Sequence, residues 1–185
     1  MTKKFGIIGN PINHSLSPIL HNYWFEKYKI DANYSLISIE ENNLSEIVEK
    51  IKNQSLHGVN VTLPYKQKIV PHLDILVNDA QATNSVNTLY LNDKNVVVGE
   101  NTDVFGLQAA YLKELDNVSK KKALIIGAGG VSPSVILSLQ KSGFNRISIT
   151  NRTIDKCFFL KKKFTNLNII NWENLKIEIK NFDVI

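Results

Sequence analysis

Residues 123–126 form a short apolar run that leads into Gly127-Ala128-Gly129-Gly130, and an apolar-periodic stretch follows from Val131. A strand, a glycine turn and a helix in that order make the opening βα step of a dinucleotide site. Glycine at 127 permits the tight turn, and glycine at 129 lets the backbone approach a pyrophosphate. The helix start near Gly130 and Val131 offers N–H donors and the positive end of the helix dipole. Ser132 stands where the motif's third glycine falls, and its small side chain still allows close helix–strand packing. The next strand ends in Thr150-Asn151-Arg152-Thr153, without the acidic residue that holds a ribose 2′-hydroxyl in NAD sites. A guanidinium at 152 would clamp a 2′-phosphate and stack on adenine, and Thr153 would add a hydroxyl. The expected cofactor is therefore NADP. The plainer alternatives are an ordinary βα turn and a surface arginine beside a helix start.

In the first half of the chain, polar residues gather where strands should end, the positions at which open α/β sheets hold ligands. His14-Ser15-Leu16-Ser17-Pro18 sets two hydroxyls around a helix start, with Ser17 read as N-cap and Pro18 as the first helical residue. Ser15, Ser17 and the N–H groups of that helix start would hold a carboxylate. Capping alone accounts for Ser17 and leaves Ser15 unused. Asn60 and Thr62 alternate along residues 57–62, so both face one side of a strand, where polar groups are costly unless paired or used. Lys66 is read at the start of a helix, where the macrodipole disfavours a cation, which hints at a functional rather than a solvated lysine. Asn87 opens a hairpin. Asp103 falls in the first turn of a helix, where a carboxylate is favourable in any case.

The scaffold follows from composition and period. The 185 residues are 43% hydrophobic and 21% charged, enough to bury a core. The single cysteine, Cys157, excludes an internal disulfide framework and a multi-cysteine zinc site, and no metal is expected. No apolar run approaches a membrane span, and Gly9, Asn10 and Pro11 interrupt any secretory signal, so a reducing cytoplasm is the expected setting. The net charge of +5 is dispersed, with short lysine runs at 120–122 and 161–163 beside apolar periodic segments. Without an aromatic–basic module, nucleic acid is not an expected partner, and neither is a membrane.

Strands are expected at 5–9, 34–39, 57–62, 86–91, 96–98, 123–126, 146–150, 168–170 and 182–185. Helices are expected from 17 onward, through 44–51, and over 66–69, 74–82, 102–115, 131–142 and 154–164. Leu44, Ile47, Val48 and Ile51 form an amphipathic stripe, and Ile19, Leu20, Tyr23 and Trp24 share helical spacing. The fold class is α/β: an N-terminal, mostly parallel α/β substrate domain followed by a Rossmann-type nucleotide domain. The expected divisions are 1–102, a connecting helix and linker over 103–118, and an incomplete Rossmann domain over 119–185.

Together these segments resemble the shikimate dehydrogenase family. The resemblance rests on Gly9-Asn10-Pro11 with His14 to Pro18, on Asn60-Val61-Thr62 through Pro64 to Lys66, and on Val86-Asn87-Thr88. It continues through Asn101-Thr102-Asp103 with Gly106, Gly127 to Gly130, and Asn151-Arg152-Thr153 with Lys156, and so spans residues 5–156. It implies that Ser15 and Ser17 bind the shikimate carboxylate and that Asn60, Thr62, Asn87 and Asp103 bond the ring hydroxyls. It implies reversible NADPH-dependent reduction of 3-dehydroshikimate to shikimate in aromatic amino-acid biosynthesis. Lys66 would supply the proton, and Asp103 would orient it and the substrate across an interdomain cleft. Gly127, Ala128, Gly129, Gly130, Val131, Asn151, Arg152, Thr153 and Lys156 would hold NADP, in a monomer or homodimer.

Two alternatives remain: a quinate/shikimate dehydrogenase using NAD, and a non-catalytic module that binds shikimate-like acids. Arg152 argues against the first, and retention of Lys66 and Asp103 against the second. In one departure, Asn84-Ser85 replaces the family's Gly-Ala before Val-Asn-Thr. In another, family members continue with the rest of the Rossmann sheet and a helix that returns to the first domain with a substrate-contacting glutamine. The expectation is a C-terminally truncated chain with weak or absent turnover.

Overall fold

The computed structural model describes residues 2–185. The chain divides into two compact units, Met1–Asn101 and Thr102–Ile185.

The first unit holds strands β1 (Lys3–Gly9), β2 (Ala32–Ser38), β3 (Gly58–Val61), β4 (Ile75–Leu76), β5 (Thr88–Leu91) and β6 (Val97–Glu100). They form one sheet in the order β2-β1-β3-β5-β6-β4. β1 runs parallel to β2 and β3, and β4 parallel to β6, whereas β5 is antiparallel to both of its neighbours. The β5–β6 pair is the expected hairpin. Its turn is held by Asn92, whose Oδ1 accepts from the N–H groups of Lys94 and Val96, each at 3.0 Å.

Helices α1 (Ser17–Lys27) and α2 (Leu44–Lys52) flank this sheet. The stripe of α2 is buried as its period predicts: Leu44, Ile47, Val48 and Ile51 pack with Ile8, Val59, Val61 and Leu89. Each such side chain contributes roughly 1.5–3 kcal/mol on burial. The stripe of α1 is not buried: Ile19, Leu20, Tyr23 and Trp24 are exposed. The face of α1 toward the sheet carries His21, Asn22 and Phe25 instead. The Asn22 side chain bonds both the N–H and the carbonyl of Tyr34, and this polar clamp sets which face docks.

Residues 66–69 are turns rather than a helix, followed by a single 3-10 turn, Val70–His72. The helix expected over 74–82 resolves into β4 and a short α3 (Asp79–Thr83). Pro71 has no N–H to donate back to Gln67, so the turns at 66–69 do not extend into an α-helix. Asp74 is drawn to the sheet, where its Oδ2 accepts from Val97 N–H at 3.1 Å, and Asn78 turns the chain at φ +50.

The second unit holds α4 (Asp103–Ala110), β7 (Lys122–Ile126), α5 (Ser132–Lys141), β8 (Arg146–Thr150), α6 (Ile154–Lys163), β9 (Leu167–Ile169) and α7 (Leu175–Glu178). The strands are parallel in the order β7-β8-β9. Ile136 and Leu139 of α5 and Cys157 and Leu160 of α6 pack with Ile125, Ile147 and Ile149. Gly143 closes α5 at φ +93, as its position predicts. The helix expected over 102–115 breaks after Ala110, where Tyr111 takes φ −137, and a 3-10 turn follows at Leu112–Glu114. The strand expected over 182–185 is reduced to one parallel bridge between Ala123 and Val184. Among the described residues, no helix is long and apolar enough to cross a membrane.

Candidate active site

In the first unit, the C-terminal ends of β1 and β3 are laced together. Asn10 N–H donates to Leu63 O at 3.2 Å, and Thr62 N–H to Ile8 O at 2.9 Å. Gly9 makes this approach possible, because a Cβ there would lie 2.7 Å from Thr62 Cγ2 and 3.0 Å from Leu63 O. Just beyond, α1 begins at Ser17 itself, and its N-cap residue is Leu16, not Ser17. Ser15 does the local bonding: its Oγ accepts from Ser17 N–H at 3.3 Å and donates to Ser17 Oγ at 3.2 Å. The two half-buried hydroxyls therefore stand side by side at the helix start.

Across the sheet, Asn60, Lys66 and Asn87 are drawn into one cluster. Asn87 O accepts from Val61 N–H at 2.9 Å and from Asn60 Nδ2 at 3.2 Å, and Asn87 N–H donates to Glu100 O at 3.0 Å. Val86 N–H donates to Lys66 O at 2.8 Å, which ties the lysine's backbone beside Asn87. Because Lys66 stands in a turn, the helix-dipole argument for it falls. Thr62 lies one residue past β3, half-buried.

Asn84 occupies the left-handed region at φ +52, a conformation glycine favours and asparagine tolerates. Ser85 is fully buried. Its carbonyl accepts from Asn101 Nδ2 at 2.8 Å, and Asn101 also reaches Thr83 Oγ1 at 3.2 Å.

In the second unit, the glycine turn follows β7. Gly127 takes φ +119, and its N–H donates to Thr150 O at 2.8 Å. Ser132 Oγ donates back to Gly127 O at 3.0 Å, and Ala128 N–H donates to Asn151 Oδ1 at 3.3 Å. A Cβ at Gly127 or Gly129 would meet no atom within 4 Å, so the backbone of the turn stands open to a ligand. Gly130 is half-buried beside it, and Val131 is the exposed N-cap residue of α5. Asn151 Nδ2 donates to Thr153 O at 2.8 Å, which makes Asn151 the staple between this turn and the end of β8.

Arg152, Thr153 and Lys156 are exposed around the start of α6, and Arg152 makes no ion pair among the described residues. Two cations beside an open glycine turn fit the anionic end of NADP. Asp103, the first residue of α4, lines a cavity of about 360 Å³ together with Gly106, Val131 and Ser134. One candidate catalytic group thus shares a cavity with the edge of the dinucleotide turn.

Sequence reasoning missed Tyr34, Asn22, the buried bonds of Asn101 and the bond made by Ser132. Tyr34 OH donates to Asn60 Oδ1 at 2.6 Å, and its ring stacks on His21 with centroids 4.2 Å apart. Period alone marks Tyr34 only as an inward strand residue. Its link to Asn60 needs the order β2-β1-β3, which no local pattern encodes.

The model of the shikimate dehydrogenase substrate binding domain matches residues 7–89, and that of shikimate / quinate 5-dehydrogenase matches residues 109–185. Shikimate dehydrogenase (NADP(+)) of Pelagibacter ubique is 44% identical over 185 residues, covering the whole of this chain and 68% of the relative. The crystal structure of shikimate dehydrogenase from Aquifex aeolicus superposes with a TM-score of 0.89 at 32% identity, over 99% of this chain and 67% of that one. The Thermus thermophilus shikimate 5-dehydrogenase, solved with NADP(H) and shikimate, gives a TM-score of 0.82 at 30% identity, over 94% of this chain and 64% of that one. Hydroxyls and amides at the ends of interior strands, a glycine turn with adjoining cations and these matches across both units lead to one placement: the chain belongs to the shikimate dehydrogenase family.

Proposed function

We propose that the chain serves reversible, NADPH-dependent reduction of 3-dehydroshikimate to shikimate in aromatic amino-acid biosynthesis, in the cytoplasm. Ser15 and Ser17 hold the substrate carboxylate, and Asn60, Thr62 and Asn87 bond the ring hydroxyls. NADPH supplies a hydride to the carbonyl carbon. Lys66 delivers a proton to the oxygen as it gains charge, and Asp103 orients the reacting hydroxyl. Gly127 to Val131, with Asn151, Arg152, Thr153 and Lys156, form the NADP seat.

The observation that carries this reading is the pairing of the two serine hydroxyls just past β1, with Asn60 bonded to Asn87 and the Lys66 backbone tied to Val86 past β3 of the same sheet. The ligand pair in the Thermus thermophilus relative supports the choice of substrate and cofactor.

Calorimetric titration of shikimate and of NADP+, each alone, tests the two seats; absence of binding by either would remove that half of the proposal. Turnover belongs to Lys66. Lys66→Ala should lower NADPH formation about 10²- to 10⁴-fold, the usual contribution of a positioned proton donor, while shikimate affinity is largely kept. Equal turnover by the variant would take Lys66 out of the mechanism.

A further inference from the structure

Tyr34 determines what the Asn60 amide can offer a ligand. Asn60 Nδ2 lies 3.2 Å from the backbone oxygen of Asn87 and 3.2 Å from Thr88 Oγ1. A peptide carbonyl only accepts, so the amide nitrogen must face Asn87 and the amide oxygen must face Tyr34. The phenol, 2.6 Å away, therefore donates to Asn60 Oδ1. Both Nδ2 hydrogens are used inside the sheet. What Asn60 retains is the second lone pair of Oδ1, an acceptor.

The donor is itself held in place. Asn22 Nδ2 donates to Tyr34 O at 2.9 Å, and Tyr34 N–H donates to Asn22 Oδ1 at 2.8 Å. His21 stacks on the ring at 9° from parallel, and Ile7 and Ile12 complete a buried cluster around it. Tyr34 is 4% exposed, and burial pushes its phenol pKa well up, so the proton stays on. His21 and Asn22 follow Ser17 along α1. The helix whose start carries the two serines thus also fixes the group that aims Asn60.

We propose that Tyr34 is a positioning residue for substrate recognition: it fixes the Asn60 amide as an acceptor, so that Asn60 recognises a ring hydroxyl that donates and disfavours an oxygen that only accepts. The inference rests on the proposed binding of shikimate at Asn60.

Tyr34→Phe removes the phenol oxygen and keeps the ring. Titrated with shikimate, the chain carrying Tyr34→Phe or Asn60→Ala should bind about five- to tenfold more weakly than the unsubstituted chain, the worth of one hydrogen bond. The double variant should be no weaker than Asn60→Ala, because both changes remove one interaction. Among shikimate analogues lacking one ring hydroxyl in turn, one should bind Tyr34→Phe and the unsubstituted chain equally, which loss of packing would not produce.

Full affinity in folded Tyr34→Phe, with Asn60→Ala weakened, overturns this inference and leaves the substrate assignment standing. No binding by the unsubstituted chain overturns the substrate assignment and the inference with it; unchanged affinity in Asn60→Ala takes Asn60 out of the site and overturns the inference alone, leaving the substrate assignment standing. If Tyr34→Phe does not fold, the side-chain amide protons of Asn60 in the unsubstituted chain decide. Slow exchange, seen by nuclear magnetic resonance and assigned by their loss in Asn60→Ala, supports the locked amide, and exchange at the rate of a solvated asparagine overturns it.

Discussion

Gly127 and Gly129 belong to one turn but are glycine for different reasons. Gly127 takes φ +119, so an alanine there is strained by roughly 1–2 kcal/mol although its Cβ would meet no neighbour. Gly129 has neither a positive φ nor a neighbour within 4 Å of a Cβ. Gly129→Ala should therefore unfold at the temperature of the unsubstituted chain and yet bind NADP+ about tenfold more weakly, a loss of roughly 1.4 kcal/mol. Gly127→Ala should lose both stability and binding. Thermal unfolding with cofactor titration separates the two, and a destabilised Gly129→Ala would mean the turn is tighter than it looks. Arg152 is the residue proposed to carry the choice of cofactor. Arg152→Gln should cost NADP+ roughly 1.5–3 kcal/mol more than it costs NAD+, the value of a charge-assisted bond to phosphate, because NAD+ loses only the adenine stack. An equal loss for both cofactors would place the guanidinium away from the 2′-phosphate.

Elements were legible in the sequence where side-chain period and backbone chemistry agree. In α2 the stripe of Leu44, Ile47, Val48 and Ile51 is the only apolar face available, so it is the buried one. In α1 the same reasoning picks the wrong face, because the docking contacts are the Asn22 clamp and the His21 stack rather than Ile19, Leu20 and Trp24. Polar anchoring leaves no periodic trace. The His21 stack has a consequence for pH. Burial lowers the His21 pKa from its ordinary 6.5, so the folded chain resists a proton that the unfolded chain accepts. Well above pH 6.5 neither state is protonated and the effect vanishes; as pH falls through 6.5 the unfolded state gains the proton and stability drops. His21→Phe keeps an aromatic ring against Tyr34 and removes the titration. Its melting temperature should therefore hold up better than that of the unsubstituted chain below pH 6.5, with the difference closing above it. Parallel curves would exclude His21 as the source.

For the whole molecule, alternating strand and helix signals were sufficient for an α/β reading, but they carry no strand order. The antiparallel insertion of β5 between β3 and β6 brings Asn87 beside Asn60, and period-2 alternation is blind to the direction of a neighbour. The two family models fall on residues 7–89 and 109–185, so the proposed ligands belong to different stretches of chain. A ligand that binds only the folded state stabilises it by about 2.7 kcal/mol at a hundredfold excess over its Kd, and amides whose exchange requires opening of that seat slow accordingly. Shikimate should slow amide exchange in β1, β3 and around Asn87, whereas NADP+ should slow it in β7, β8 and through residues 127–132. The proposed seats demand that this pattern not be interchangeable. Gly129→Ala sharpens the measurement, because protection by NADP+ should fade in that variant while protection by shikimate persists at β1 and β3. Protection of β7 and β8 by shikimate alone, with β1 and β3 unaffected, would reverse the assignment of the two ligands.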